Sequence, residues 1–206
     1  MKMTFSVIAA ACGALAFSSA LVATASPAPH LQEGDIVFSS STRGQGAAII
    51  AATGSPFTHC GIVFEKDGKL MVLEAVQPVG VVSLDAFISR SQPGTFMARR
   101  LKIAVAPDDL QRGREWAAAQ IGKNYGGKFL WDDGNHYCSE LVWKIYKHAG
   151  VELCTPRHFR DFHLDDPKVK KIIEERYGSV RALPLDEKVV APSDLASSPL
   201  LVEITE

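Results

Sequence analysis

The sequence contains no long block of Lys or Arg, and its acidic and basic side chains nearly cancel, at a formal net charge of -1 over 206 residues. Without a cationic run there is no handle for releasing counterions from a phosphate backbone, so nucleic acid is not an expected partner. Neither a Cys-x-x-Cys nor a His-x-x-x-His pair occurs, whereas zinc sites recruit four close ligands in tight spacing. His136, His148, His158 and His163 are too dispersed to compose such a site, and no metal or organic cofactor is expected. The sequence also has no internal repeat and no low-complexity segment. With 47% hydrophobic side chains, the chain is long enough for one well-buried core and short for two.

What is present begins with a leader. Lys2 supplies a positive start, Phe5 to Val22 is apolar and small, and Ala23-Thr24-Ala25 fits a small-x-small cleavage pattern. Residues 1–25 therefore read as a signal peptide and 26–206 as a single domain, which places the mature protein in the periplasm or outside the cell. The many small residues and Pro27-Ala28-Pro29 favour cleavage over a retained anchor, so no stable membrane span is expected after cleavage. Cys12 is not read as a lipid-modified cysteine, because Ala9 stands where lipoprotein signals usually carry Leu. Export leaves Cys60, Cys138 and Cys154, an odd number in a compartment that permits disulfides. Either one is a free thiol with a task, or all are buried hydrophobes.

Gly34-Asp35-Ile36-Val37-Phe38 reads as a turn feeding a strand, and Ala47 to Thr53 as a short helix. Residues 58–76 form the clearest local signal. Two β-prone runs flank Asp67-Gly68, a pair suited to a type I′ hairpin turn. Strands are expected at Val79 to Leu84 and Thr95 to Ile103, with a short helical turn between them. A helix capped by Asp108 runs to about Ile121, and a loop rich in Gly and Asp reaches His136. A second helix opens at Cys138, carries Leu141, Val142, Ile145 and Tyr146 as an apolar stripe, and closes at Gly150. Pro167 to Tyr177 reads as a helix with Pro in its first turn, and Leu200 to Ile204 as a last strand. The whole is an α+β pattern: a small antiparallel sheet or half-barrel packed against the helix that starts at Cys138.

A cysteine at a helix start feels the positive end of the backbone dipole and unpaired N–H groups, which favour thiolate over thiol. Thiolate attack on a carbonyl needs a base to take and return a proton, and His suits that at neutral pH. The hairpin register selects one. With Asp67 and Gly68 at the turn, Lys66 faces Lys69 and Glu74 faces Gly61, so His59 and Glu74 share one face as diagonal neighbours. A carboxylate beside an imidazole holds its tautomer and stabilises imidazolium. Cys60 points to the opposite face, toward the core. Taken singly, a His on a strand and a Cys at a helix start are ordinarily structural, so only their pairing carries a function.

Gly122-Lys123-Asn124-Tyr125-Gly126-Gly127 followed by Tyr137-Cys138-Ser139-Glu140-Leu141-Val142 resembles the nucleophile region of NlpC-type papain-like hydrolases. Thr58-His59-Cys60-Gly61-Ile62-Val63 precedes it, whereas the ordinary order puts the Cys helix first. That reversal, with Gly34 to Phe38 in front and Leu73-Glu74-Ala75 behind, resembles the circularly permuted YiiX/YaeF-like branch. The resemblance implies a permuted papain-like fold with Cys138 as nucleophile, His59 as base and Glu74 as the orienting third residue. Tyr137 and Glu140 stand where ordinary NlpC enzymes tend to have Asp and Gly, which leaves the pocket and the oxyanion donors open. The backbone N–H of Cys138 is one natural donor, and Tyr125 and Tyr137 are candidate substrate-binding or oxyanion residues. The resemblance further implies hydrolysis of amide bonds, with small peptides or cell-wall peptides as substrates. A lipid-directed acyltransferase or esterase is the first alternative, and a silent ligand-binding module or an exported interaction protein are the others.

Overall fold

The computed structural model describes residues 30–205; the expected signal peptide, 1–25, lies outside the described residues. In chain order the elements are β1 (Ile36–Ser39), α1 (Gly46–Thr53), β2 (His59–Lys66), β3 (Lys69–Glu74), β4 (Gly80–Ser83), α2 (Leu84–Ser89), β5 (Met97–Leu101) and α3 (Pro107–Ala118). They continue with β6 (Asn124–Tyr125), β7 (Asn135–His136), α4 (Cys138–His148), β8 (Arg157–His158), α5 (Pro167–Tyr177), β9 (Lys188–Val189), α6 (Pro192–Ala196) and β10 (Leu201–Glu203).

Six strands form one open antiparallel sheet in the order β10-β5-β1-β2-β3-β4. Its centre is the expected hairpin. Asp67 and Gly68 have φ of 53° and 72°, the two left-handed residues a type I′ turn requires. Lys66 pairs with Lys69 and Ile62 with Leu73, the register read from the turn. The β3 strand stops at Glu74 rather than Val76, so His59 lies beyond the end of β3 and pairs instead with Ser39 of β1.

Alternation along these strands divides the core. Ile36, Phe38 and Cys60 pack on one side of the sheet with Val142 and Tyr146 of α4, and Leu73 packs with Leu141 and Ile145. Val37, Val63, Val72 and Ala98 point to the other side, where Phe87 of α2 covers them. All four α4 residues on the expected apolar stripe are fully or nearly fully enclosed, with Leu141 and Val142 at 0% exposure, which anchors the helix that begins at Cys138. The helix is long enough for a dipole yet buried enough that packing, not propensity, holds it.

Two helix boundaries differ from the sequence expectation. Ala106, not Asp108, is the N-cap of α3, with Pro107 at the first helical position; proline is pre-organised there and lacks only an N–H that would be unpaired anyway. The helix ends at Ala118, and Gly122 turns the chain at φ 88°. The α5 helix matches its expected span, with Asp166 accepting a hydrogen bond from the Lys168 amide as N-cap and Gly178 closing it. A second apolar cluster lies outside the sheet, where Ala48 of α1 meets Val169 and Ile173 of α5 together with Tyr137 and Phe159. Among the described residues, no helix is long and apolar enough to cross a membrane.

Candidate active site

Cys138 is the first residue of α4 and is 4% exposed. Its position follows from the local sequence. Tyr137 is extended and acts as the N-cap, and the Glu140 side chain reaches back to accept from the Tyr137 amide at 3.4 Å. Ser139 fixes the same turn by donating to the Val190 carbonyl at 2.6 Å. The thiol therefore sits at the positive end of a buried helix.

His59 is the first residue of β2, at the end of the sheet beside α4. Its Nε2 lies 2.6 Å from Glu74 Oε2, as the shared face of the hairpin requires. Glu74 is fully buried, and its other oxygen accepts from Arg90 Nη2 at 2.6 Å. Both flanking groups rest on one ring: the imidazole stacks on Phe87 with centroids 5.7 Å apart, and the Arg90 guanidinium lies 5.8 Å from the same centroid. With Nε2 held by Glu74, Nδ1 is the nitrogen left free to serve the neighbouring Cys138 thiol. Gly61 makes this possible, because a Cβ there would lie 2.5 Å from Val72 Cγ1 and 3.4 Å from Glu74 Cβ.

The electrostatics follow from the contacts. Burial works against charge on His59, but the Cys138 thiolate and Glu74 outweigh it and hold the imidazole up to about 9. A hydrogen bond from Cys60 and the neighbouring imidazolium hold Cys138 well below an ordinary thiol, against the opposing effect of burial. Burial keeps the Cys60 thiol itself protonated, well above its usual range. Glu74 would be raised by its enclosure, but hydrogen bonds from His59 and Arg90 keep its carboxyl below 4.5. These directions favour a thiolate–imidazolium pair, backed by a carboxylate clamped between His59 and Arg90.

Tyr125 is brought beside the site by a short parallel ladder in which it pairs with His136, two residues before Cys138. Its hydroxyl accepts from Gln45 Nε2 at 2.7 Å, and Gln45 in turn accepts from Arg176. The Tyr137 ring is buried, and its hydroxyl accepts from the Val190 amide at 3.2 Å. It lines the cavity at the thiol. Glu140 turns away from the thiol into the protein, where it pairs with Lys144 at 2.8 Å near buried His136, so the departure from the NlpC pattern at this position is structural. All three described cysteines are free.

Sequence reasoning missed Arg90 and Phe87, and it placed Cys60 in the core without placing it against the nucleophile. Phe87 lies on α2 and Arg90 is its C-cap three residues on, a spacing that shows a shared face but not which sheet residue it covers. A cavity with a free volume of about 110 Å³ also opens at Cys138, between α1 and α5, walled in part by Phe159 and Phe162. The aromatics of the 155–165 segment line it; His158 and His163 do not.

A cysteine at a buried helix start facing a histidine on an antiparallel sheet, with the histidine strand earlier in the chain, defines a papain-like cysteine hydrolase in permuted order. The chain belongs to the permuted papain-like amidases of the YaeF/YiiX, C92 family, whose model matches residues 30–205. It is 33% identical over 189 residues to the protein YiiX of Escherichia coli K12, covering 91% of this chain and 93% of YiiX. The crystal structure of the metalloprotein YiiX from Escherichia coli O157:H7 superposes with a TM-score of 0.78 at 34% identity, covering 85% of this chain and 97% of the other. The protein is thus of the cysteine amidase kind, and its fold is the permuted one the resemblance implied.

Proposed function

We propose that the protein is an exported cysteine amidase in which Cys138 is the nucleophile, His59 the acid and base, and Glu74 the residue that orients His59. The observation that carries this reading is the hydrogen bond from His59 to buried Glu74, with the Cys138 thiol beside the same imidazole at the start of α4. The Cys138 thiolate attacks the amide carbon, and the carbonyl electrons move to oxygen, which backbone N–H groups of the first turn of α4, unpaired within the helix, would receive. As the C–N bond breaks, His59 gives its Nδ1 proton to the leaving nitrogen and a thioester remains. His59 then takes a proton from water, the hydroxide attacks the thioester, and the thiolate leaves as the acid is released. Residues 1–25 support export into the periplasm or beyond. A cell-wall peptide and a lipid acyl group both satisfy this chemistry at the reacting bond.

The structural relative is described as a metalloprotein. Among the described residues of this chain no three His, Cys, Asp or Glu side chains gather as a metal-holding group. At the site itself both Glu74 oxygens are taken by His59 and Arg90. The residues present do not fit a resident metal there, and no step is routed through one.

The test is the rate of alkylation of each cysteine by iodoacetamide against pH, read by peptide mass spectrometry on wild type and His59→Ala. Cys138 is expected to label fast well below pH 8 and to lose that reactivity in the variant, while Cys60 and Cys154 stay slow. An ordinary thiol profile at Cys138, unchanged by the variant, sinks the pairing.

A further inference from the structure

Arg99 stands where the sheet calls for an apolar residue. Strand alternation puts it on the same face of β5 as Met97 and Leu101, and both of those pack against the core cluster that contains Cys138. Its cross-strand neighbour Ile36 belongs to that cluster too. The Arg99 side chain is only 23% exposed, and its Nε has no hydrogen-bond partner among the described residues. Glu203 of β10 pairs with it at 3.6 Å, longer than a hydrogen bond, and that carboxylate is half-exposed. So loose and solvated a pair contributes little, while a guanidinium drawn onto a core face is costly unless its donors are met. The fold keeps a cation here without satisfying it.

The space around Arg99 has the chemistry to accept an anion. It borders a recess of about 400 Å³ between the end of α1 and α6, and Arg157 of β8 borders the same recess. Thr53, Ser55, Ser193 and Ser197 set hydroxyl-bearing side chains along the wall. Arg157 is held in place before any ligand arrives. Its Nη2 donates to the Asp161 carbonyl, and its guanidinium lies 4.0 Å from the centroid of the Phe162 ring. Asp194 also borders the recess; one of its oxygens accepts from the Ala191 amide at 2.8 Å, and the other lies 3.4 Å from Arg157 Nη1. Two guanidinium groups against one carboxylate, itself turned toward a backbone amide, leave the recess positive. A guanidinium presents its N–H groups as a planar fork that matches the paired oxygens of a carboxylate or phosphate.

We infer that the recess is a binding site for an oxyanion, a carboxylate or phosphate group, held between Arg99 and Arg157. The site adjoins the cavity at Cys138: Thr53 borders both, and Phe162, on which Arg157 rests, walls that cavity. A ligand carrying such a group is thereby anchored beside the active site. The inference does not depend on the role given to Cys138.

The experiment follows thermal unfolding of the full chain as inorganic phosphate or acetate is added at an ionic strength held constant with sodium chloride. Tm is expected to rise and saturate. Saturation by phosphate alone assigns a phosphate group to the site, by acetate alone a carboxylate, and by both a site open to either. Arg99→Gln and Arg157→Gln, which remove the charge and keep a polar side chain, should each raise the half-saturating concentration by about tenfold or more, the loss of a hydrogen bond to a charged group. Either variant decides if the other does not fold. Absence of saturation with both anions, or saturation in the variants at the wild-type concentration, overturns the inference.

Discussion

Replacing Arg90 by Ala removes one of the two donors to a carboxylate that has no access to water. Glu74 is 0% exposed, and Arg90 Nη2 approaches it at 2.6 Å while the arginine side chain itself is 49% exposed. A hydrogen bond to a buried charge contributes about 1.5–3 kcal/mol; the half-exposed partner is screened, which reduces the expected loss to about 1–2 kcal/mol at neutral pH. For a domain of this size that corresponds to a fall in Tm of roughly 2–8 °C. The pH dependence adds a second constraint. Glu74 is held below 4.5 in the folded protein, so its stabilising contribution is present above that value and is lost as pH falls through the lower folded pKa. Without Arg90 the folded pKa moves back up. The deficit of the variant should therefore be constant near neutrality and shrink in acid. Urea denaturation of wild type and variant at pH 7 and in steps toward pH 4 measures both. Equal stability at pH 7, or a deficit that does not shrink in acid, would refute the claim that Arg90 acts through Glu74.

Other outcomes follow from contacts at the same site. Cys60→Ala removes the thiol donor that holds Cys138 low, and the alkylation midpoint of Cys138 should rise by about one pH unit, while Cys60→Ser, which keeps an O–H donor, should restore it; a midpoint indifferent to both variants argues against the contact. Gly61→Ala places a Cβ 2.5 Å from Val72 Cγ1 and 2.9 Å from the Leu73 carbonyl oxygen, which should cost about 1–3 kcal/mol by overpacking. Strand propensity alone predicts the opposite sign, so a stabilised variant in thermal denaturation would show that the close approach is wrong. On the alkaline side, the imidazolium that backs the thiolate is lost near pH 9, and amidase activity should decline through that pH.

Much of the site was legible in the chain because it depends on short-range rules. The Asp67-Gly68 turn fixes the hairpin register, and the two-residue period of a strand then places His59 and Glu74 on one face whatever surrounds them. The helix start at Cys138 followed from the apolar stripe that runs down it. The reversed order of the His and Cys motifs marked the permuted branch. What the chain did not disclose depends on contacts between segments far apart. Arg90 meets Glu74 because α2 folds over the face opposite α4, a choice made by Phe87 filling the space beside Val37 and Val72. Cys60 does point to the core side, as alternation requires, but that side is where α4 begins, so it touches the nucleophile. The cavity is still less local: α1, α5 and the stretch around Val190 each contribute a wall, and no one of them has a pattern that indicates a pocket. By itself the sequence determined the hairpin and the helix that opens at the cysteine, since turn chemistry and periodicity act within a few residues; their pairing as a cysteine–histidine site was implied by the family resemblance. Only the tertiary structure decided what clamps the carboxylate and what lies beneath the thiol, because those depend on which distant surfaces the packing brings together.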